Sequence, residues 1–207
     1  MNKEELIINY LDELFPNAKC ELEYNKEYEF LLAVMLSAQT TDKKVNSVTR
    51  VLFKKYDSLE KLSNANIDDI KDIIKPIGTH HKKSIFIKEI SKYLLDNYNG
   101  VVPNTKEDLI KLPGVGVKTS NVVLSNLYDV PAIAVDTHVT RVSKRLGYAK
   151  DSDEPLVIEK KLEKAFPKDK WNRLHHQLVL FGRYYCKAIN PDCSSCKIKE
   201  ICKYINK

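Results

Sequence analysis

The chain has 207 residues, which is enough for one large or two small domains with a real hydrophobic core. Hydrophobic residues make up 43% of it and charged residues 30%, the proportions of an ordinary soluble globular protein. The formal net charge of +6 suits a polyanionic partner, but many soluble proteins carry such a charge without one, so charge alone decides nothing.

The first fifteen residues, MNKEELIINYLDELF, have the spacing of an amphipathic helix with acidic residues interspersed. From this pattern we expect neither a signal nor a transit peptide, and no apolar run approaches the length of a membrane span. We therefore expect a cytoplasmic protein that does not associate with membranes and whose cysteines stay reduced.

Apolar spacing and helix-ending residues predict helices along almost the whole chain and no convincing strand, so the predicted fold class is all-α. The predicted elements, in order, are a buried helix over 27–39, a helix capped by Thr41–Asp42, short helices beginning at Ser58 and Asn66, a loop over 77–81, a long helix over 82–98 ended by Asn99–Gly100, a helix capped by Thr105 with Asp108 in the reciprocal place, and helices from 136 to about 146, 155–166 and 171–185.

The stretch 109–138, LIKLPGVGVKTSNVVLSNLYDVPAIAVDTH, predicts two short helices joined by a tight turn, a helix-hairpin-helix. Gly114 and Gly116 let the backbone turn sharply and approach a ligand closely. The second helix then offers free N–H groups and the positive end of its dipole to a phosphate. Lys118 and Asp136 would add an amine and a carboxylate, the parts that an amine-nucleophile enzyme requires.

Each of these features also has a simpler interpretation. A Pro-Gly-x-Gly segment is often only a turn, and most lysines, including Lys118, are solvated. Asp136 could cap the helix that begins at Thr137, and we accept that role. However, the apolar run AIAV before Asp136 puts the carboxylate at the end of a buried segment, where a charge needs a further reason to be present.

Four of the five cysteines lie in the last 22 residues, in the pattern Cys186-x6-Cys193-x2-Cys196-x5-Cys202. In a reducing compartment, clustered thiols indicate metal ligands before disulfides. Zinc sites usually pair two C-x2-C units, whereas this array has one short pair and two long gaps. The spacing fits an iron–sulfur cluster and a zinc site equally well, with unligated cysteines as a third possibility. Cys20 is predicted to be a buried, small apolar residue.

Read together, four segments resemble the endonuclease III family of helix-hairpin-helix, Gly/Pro-rich, Asp-containing DNA glycosylases. They are SAQTTDKKVN at 37–46, LPGVGVKTSNVVL at 112–124, AVDTHVTRV at 134–142 and the cysteine array at 186–202. The resemblance implies two helical domains that flank a DNA-binding cleft. It places a six-helix barrel at 21–133, with the hairpin at about 107–127, and a cluster domain at 1–20 plus 134–207, with the cluster loop at 186–202. It also implies a 4Fe–4S cluster on the four cysteines.

The resemblance further implies roles for single residues. Lys118 is expected to attack the sugar C1′ and form a Schiff base, and Asp136 to assist it and stabilise positive charge on the sugar. The residues expected to contact DNA are Gln39, Thr79, His80, Leu112, Gly114, Val115, Gly116 and His138. Gly114 and Gly116 would grip a phosphate, together with a monovalent cation when DNA is bound, and Gln39 would fill the gap left by the flipped nucleotide.

One departure concerns the residue after Gly78, where the family commonly has a bulky apolar wedge and this chain has Thr79. Either His80 takes over the stacking or the wedge is weaker. A second expectation concerns charge, because Lys118 must be neutral to attack. We expect burial to favour the neutral amine and to outweigh Asp136, which would stabilise the ammonium.

The implied function is a bifunctional DNA glycosylase and AP lyase of base excision repair. It would remove oxidised pyrimidines from double-stranded DNA by base flipping, a lysine Schiff base and β-elimination at the abasic site. We expect it to act as a monomer on DNA with a damaged base or an abasic site. Val34 stands where related adenine-mispair glycosylases have a glutamate. The alternatives are a thymine or uracil mismatch glycosylase on the same scaffold and a non-catalytic DNA-binding iron–sulfur module.

Overall fold

The computed structural model describes residues 2–206, and within them the secondary structure is helical with no strand. The helices are α1 (Lys3–Leu14), α2 (Glu27–Leu36), α3 (Asp42–Lys55), α4 (Leu59–Asn64), α5 (Ile67–Ile73), α6 (His80–Tyr98), α7 (Lys106–Leu109), α8 (Val117–Leu127), α9 (Thr137–Arg145), α10 (Pro155–Ala165) and α11 (Trp171–Tyr184), with 3-10 turns at Lys168–Lys170 and Lys199–Ile201. The all-α prediction is confirmed. None of the described helices combines the length and the apolar character that crossing a membrane requires.

The chain divides into two compact units. A central unit comprises Glu21–Tyr128, and a terminal unit comprises Met1–Cys20 together with Asp129–Lys207. The boundary that we predicted after residue 133 lies five residues beyond Tyr128. The physical reason is that Ile133 and Val135 are buried in the same hydrophobic cluster as residues of α1, so the extended segment before α9 packs within the terminal unit.

Helix α2 forms the core of the central unit. Its residues Phe30, Leu31, Leu32 and Leu36 have no exposed surface, and the helix packs against α3, α6 and α8. Helices α4 and α5 pack against α6. Because a helix surrounded by other helices has no polar face, its sequence is apolar all round, as the segment 27–39 indicated. The helix ends at Leu36, three residues before the predicted limit of 39.

Local sequence accounts for most helix ends. Asn2 and Glu5 form a reciprocal capping box at the start of α1, and the side chains of Ser58 and Asn66 cap α4 and α5. Helix α6 ends at Asn99 and Gly100, both with positive φ (50° and 78°), and the Gly100 N–H donates to the Leu94 carbonyl at 2.9 Å. This is the usual glycine-containing end of a helix.

The predicted loop over 77–81 is partly wrong, because His80 and His81 are the first two residues of α6. Thr79 precedes them with a left-handed backbone (φ 58°), which turns the chain into the helix two residues earlier than expected. A positive φ at threonine is uncommon, and nothing in the local sequence signals it. The two histidines therefore lie on a rigid helix and not on a flexible loop.

In the terminal unit, α11 packs against α9 and α1, and α10 packs against α9. The core of this unit includes Ile7 and Leu11 of α1 and Leu174 and Leu178 of α11, all at most 2% exposed. Both ends of the chain therefore contribute to one hydrophobic core. Cys20, expected to be buried, is only half-buried.

Candidate functional site

The predicted hairpin is present in the central unit, formed by α7, the turn over 110–116 and α8. The Asp108 N–H donates to Thr105 Oγ1 at 3.2 Å, and the Thr105 hydroxyl donates to Asp108 Oδ2 at 2.8 Å, which fixes the start of α7. Leu109, Leu112 and Val115 are buried and anchor the turn in the core. The hairpin is thus a rigid part of the unit.

Leu112 and Val115 were both predicted to contact DNA, but their side chains are 2% and 6% exposed. Their N–H groups are also used within the turn, since Leu112 donates to the Leu109 carbonyl and Val115 to the Leu112 carbonyl, each at 3.1 Å. Both residues are therefore packed in the core of the turn, and their contact with DNA stays a prediction. What they do in the folded chain is hold the two glycines in position.

Gly114 occupies a place that only glycine fits. Its φ is +74°, and a Cβ built on it would stand 2.5 Å from Cδ2 of Phe86 on α6. Positive φ and the lack of space each disfavour a side chain. Gly114 is therefore required by the fold itself, whatever the hairpin binds.

Gly116 is different, because a Cβ at this position would meet no protein atom within 4 Å, and its φ of −100° suits any residue. It is the N-cap of α8 and supplies no side-chain cap, and the first turn of α8 carries no acidic residue. Within residues 2–206, neither the Gly114 nor the Gly116 N–H takes part in a hydrogen bond. Free amides at the positive end of an eleven-residue helix are chemically suited to an anion.

Lys118 lies in the first turn of α8, next to these amides, and its side chain is exposed. The burial that we expected to favour its neutral form is therefore not provided by the folded chain alone. Exposure leaves the amine accessible to a ligand bound at the hairpin.

Gln39 and Thr79 share an unusual backbone conformation in the central unit. Both are exposed, and both have a left-handed φ of 58°, while three other non-glycine residues in 2–206 have positive φ. Half-buried His80 follows Thr79, and its ring lies 4.2 Å from that of His81, centroid to centroid. Strained backbone of this kind persists only where its surroundings hold it, and it concentrates at functional sites.

Asp136 lies in the terminal unit as the N-cap of α9, and its Oδ1 accepts a hydrogen bond from the Val139 N–H at 2.8 Å. The predicted capping role is confirmed. Residues 132–135 before it are buried, while the aspartate itself is half-buried. In the part of the chain that the structure describes, no hydrogen bond uses Oδ2, so one carboxylate oxygen is available for another partner.

His138 is the second residue of α9, and its Nδ1 is 3.2 Å from Nη2 of Arg141. Arg141 also donates from Nε to the Cys186 carbonyl at 3.0 Å. The backbone of α11 comes close at this point, since a Cβ on Gly182 would be 2.9 Å from the Cβ of His138. Arg141 thus connects the start of α9 to the first cysteine of the array.

The four cysteines of the array line one cavity in the terminal unit, together with apolar residues such as Leu146, Phe181 and Ile198. None of them forms a disulfide; Cys202 is buried and the other three are half-buried. Burial raises the pKa of the Cys196 thiol, and negative charge on Cys186, Cys202 and Cys193 raises it further, so the four sulfur atoms are within electrostatic range of one another.

Arg145 supports this cavity, because its Nη1 lies 3.2 Å from the Cys186 sulfur and donates to the Lys187 carbonyl at 2.7 Å. Its guanidinium also lies over the Tyr204 ring, 4.1 Å from the centroid. Within residues 2–206 no three His, Cys, Asp or Glu side chains are placed to hold a metal ion. Four unpaired thiols around an apolar cavity, with N–H donors beside the sulfur atoms of Cys186 and Cys196, fit a group larger than one ion, whose ligands stand at separate corners.

Comparison with known proteins identifies the class of protein. The sequence profile described as "HhH-GPD superfamily base excision DNA repair protein" matches residues 32–168. Endonuclease III of Bacillus subtilis (strain 168) is 45% identical over 199 residues, covering 96% of this chain and 91% of that protein. Endonuclease III of Rickettsia felis is 47% identical over 205 residues, covering 97% and 95%.

Among solved structures, a trapped covalent intermediate of endonuclease III with DNA is similar over 100% of this chain and 98% of that one, with a TM-score of 0.92 and 45% identity. The fold, the hairpin and the profile define a base excision DNA repair protein of the HhH-GPD superfamily. Within that superfamily, the chain belongs to the endonuclease III family.

Several residues that shape the site were missed in the sequence. Phe86 fixes Gly114, buried Lys83 bonds the end of α2, and Arg141 and Arg145 bond the backbone around Cys186. The two arginines are four residues apart in the helix after Asp136, so they share one face, and that spacing was a usable signal. Phe86 and Lys83 act through contacts distant in sequence, which no local pattern reveals.

Proposed function

We propose that this chain is a bifunctional DNA glycosylase and AP lyase of base excision repair, which acts on double-stranded DNA that carries a damaged base or an abasic site. The observation that carries the proposal is its full-length similarity to an endonuclease III trapped in a covalent complex with DNA. An exposed lysine in the first turn of α8, beside uncapped amides, supports the same conclusion.

The proposed substrates are oxidised pyrimidines. A damaged base inside the stack is out of reach, so its nucleotide must be flipped out, at a cost of a few kcal/mol that damage already lowers. Gly116 and the first-turn amides of α8 would hold a backbone phosphate, and a monovalent cation could join them when DNA is bound. Gln39 would fill the gap, with His80 or Thr79 as the wedge beside it.

Lys118 is the proposed nucleophile. Its neutral amine attacks C1′ of the sugar, a C–N bond forms, and the glycosidic bond breaks so that the base leaves with the electron pair. The nitrogen then loses a proton, and the sugar ring opens to a Schiff base as the C1′–O4′ bond breaks and O4′ takes up a proton. Loss of a proton from C2′ expels the 3′ phosphate and cuts the strand. Because the folded chain leaves Lys118 exposed, the bound DNA itself must supply the desolvation that favours the neutral amine.

Asp136 is the proposed carboxylate of the reaction. Oδ1 is engaged in capping α9, which fixes the orientation of the group, while Oδ2 has no partner in the described chain. An oriented carboxylate can stabilise the positive charge that develops on the sugar and assist proton transfer from the lysine. Both contributions depend on this fixed orientation.

We further propose that Cys186, Cys193, Cys196 and Cys202 hold a 4Fe–4S cluster. The cluster would supply a rigid centre for the loop over 186–202, while the proposed reaction transfers no electrons. Arg145 would donate a hydrogen bond to one cluster ligand, and Arg141 would hold the backbone of that ligand. We place the protein in the cytoplasm with the chromosomal DNA and expect a monomer.

Borohydride trapping tests the lyase chemistry. The wild type, Lys118→Ala and Lys111→Ala are each incubated with an abasic-site duplex and borohydride, and covalent adducts are resolved on a denaturing gel. Lys111 is a matched control, because it is an exposed lysine of the same hairpin whose ammonium pairs with Asp108 at 2.7 Å. We expect adducts with wild type and Lys111→Ala and none with Lys118→Ala. No adduct with wild type overturns the proposal.

A lesion panel tests the substrate class. Duplexes that contain thymine glycol, a T·G mismatch, a U·G mismatch or no damage are compared in single-turnover reactions. We expect excision of thymine glycol and no excision from either mismatch. Excision from the mismatches without activity on thymine glycol would instead identify a mismatch glycosylase.

A further inference from the structure

Buried Lys83 on α6 is not part of the proposed chemistry, yet it lies in the core of the central unit. It is 4% exposed, although lysines are almost never fully buried without a partner. Its Nζ lies 2.9 Å from the Leu36 carbonyl and 2.7 Å from the Ala38 carbonyl, and it donates to both. Burial lowers the pKa of this amine. Because burying an amine is unfavourable, we expect this lysine to make a stabilising interaction or to serve a function.

The two carbonyls lie at the end of α2 and just before Gln39. No backbone N–H within residues 2–206 donates to either of them, as is usual for the last carbonyls of a helix. An amine at this end of α2 also complements the negative end of the helix dipole. Lys83 on α6 therefore caps the C-terminal end of α2.

Gln39 follows directly and holds a left-handed φ of 58° while its side chain is exposed. A glutamine leaves this conformation readily unless its neighbours fix it, because the strain is of order 1–3 kcal/mol. The bond from Lys83 to the Ala38 carbonyl fixes the peptide immediately before Gln39. The Thr40 hydroxyl also donates to the Ala38 carbonyl, at 3.5 Å, but among the described side chains Lys83 alone donates to both carbonyls.

Lys83 is also tied to the other proposed DNA-contacting segment. Its own N–H donates to the Thr79 carbonyl at 3.1 Å, in the first turn of α6. Backbone and side chain of this one residue thus link Thr79, at the start of α6, to the end of α2. Resting on the function proposed above, we propose that Lys83 is a positioning residue that fixes Gln39 relative to Thr79 and His80, so that flipped nucleotides are stabilised.

Lys88 provides a matched control on the same helix. Its Nζ donates to the carbonyl of Ala65, the C-cap residue of α4, at 2.7 Å. Lys88 on α6 thus caps α4 in the way that Lys83 on α6 caps α2. Lys83→Met and Lys88→Met each remove one amine-to-carbonyl cap. Both are expected to lower the thermal unfolding midpoint by similar amounts. Only Lys83→Met should affect Gln39.

The test measures affinity for a duplex with a tetrahydrofuran abasic analogue and for the undamaged duplex. We expect Lys83→Met and Gln39→Ala each to weaken binding of the abasic-analogue duplex roughly tenfold. The double variant should also lose roughly tenfold, because both changes remove the same contact. Binding of the undamaged duplex, and both affinities of Lys88→Met, should stay within about twofold of wild type.

Independent losses that multiply to roughly 100-fold in the double variant would overturn this inference, as would equal effects of Lys83→Met and Lys88→Met on binding of the abasic-analogue duplex. If Lys83→Met does not fold, the same cycle is run with Lys83→Arg, which keeps donors for the carbonyls but changes their positions. Borohydride trapping with wild type runs in parallel. An adduct together with independent losses defeats this inference alone, whereas no wild-type adduct defeats the proposed function as well.

Discussion

Gly114 lies against the ring of Phe86, so closely that a Cβ on the glycine would be 2.5 Å from Cδ2 of the ring. This contact joins the hairpin to α6, the helix that begins at Thr79 and carries Lys83. The turn proposed to bind phosphate and the residues proposed to handle the flipped nucleotide therefore both contact the same helix.

Gly114→Ala is expected to destabilise the protein by about 1–3 kcal/mol, because the methyl group both clashes with Phe86 and disfavours the positive φ. Urea unfolding of the variant measures this. Gly114→Ala combined with Phe86→Leu should recover part of the loss, since the smaller side chain opens space. No recovery would mean that backbone strain, and not the ring, is the cause.

Gly116→Ala is expected to change the free energy of unfolding by less than about 1 kcal/mol, because the new methyl group meets no protein atom. We expect it nevertheless to weaken DNA binding, since that methyl group occupies space next to the free amides. Fluorescence anisotropy with an abasic-analogue duplex measures the affinity. Unchanged affinity would show that no phosphate approaches this glycine.

Asp136→Asn separates the capping role of this residue from its charge. Asparagine caps helices as well as aspartate, so the stability of Asp136→Asn should stay close to that of wild type, whereas Asp136→Ala should lose about 1 kcal/mol. Both variants should lose most of their glycosylase activity, because both lack the carboxylate. Single-turnover rates and urea unfolding are measured side by side. Full activity in Asp136→Asn would show that the aspartate only caps α9 and takes no part in the reaction.

His176 on α11 predicts a pH dependence of stability. Burial lowers its pKa from 6.5 to about 4, so below pH 6.5 the unfolded chain takes up a proton that the folded chain does not. The contribution to stability is complete above pH 6.5 and is lost as the pH falls towards 4, and it amounts to about 3 kcal/mol. Urea unfolding at several pH values gives the free energy of unfolding as a function of pH, and this free energy should depend less on pH in His176→Leu than in wild type. An equal pH dependence in the two proteins contradicts this assignment.

Cys196→Ala tests the proposed cluster against a matched change at Cys20, which does not line the cysteine cavity. The protein with Cys196→Ala should lose iron and brown colour, and its terminal unit should unfold at a lower temperature. The protein with Cys20→Ala should keep its iron and its brown colour. Iron analysis and visible absorbance decide the matter, and a zinc-containing, colourless wild type would replace the iron–sulfur assignment with a zinc site.

The sequence predicted what short-range patterns determine. The Thr105 and Asp136 caps and the hairpin all depend on residues within a few positions of one another, and the structure has them where they were expected, whereas α2 ends three residues before its predicted limit. The start of α6 was placed wrongly because it depends on the positive φ of Thr79. The exposure of Lys118 and the burial of Lys83 depend on long-range packing, which spacing does not reveal.

The composition of the terminal unit has a consequence for synthesis. Ile7 and Leu11 leave the ribosome early, yet the residues that cover them in the finished core, such as Leu174 and Phe181, are made more than a hundred positions later. The continuous segment Glu21–Tyr128 can fold on emerging, whereas α1 must wait with its apolar face uncovered. Truncated chains that stop before α11 should therefore be the ones that chaperones retain.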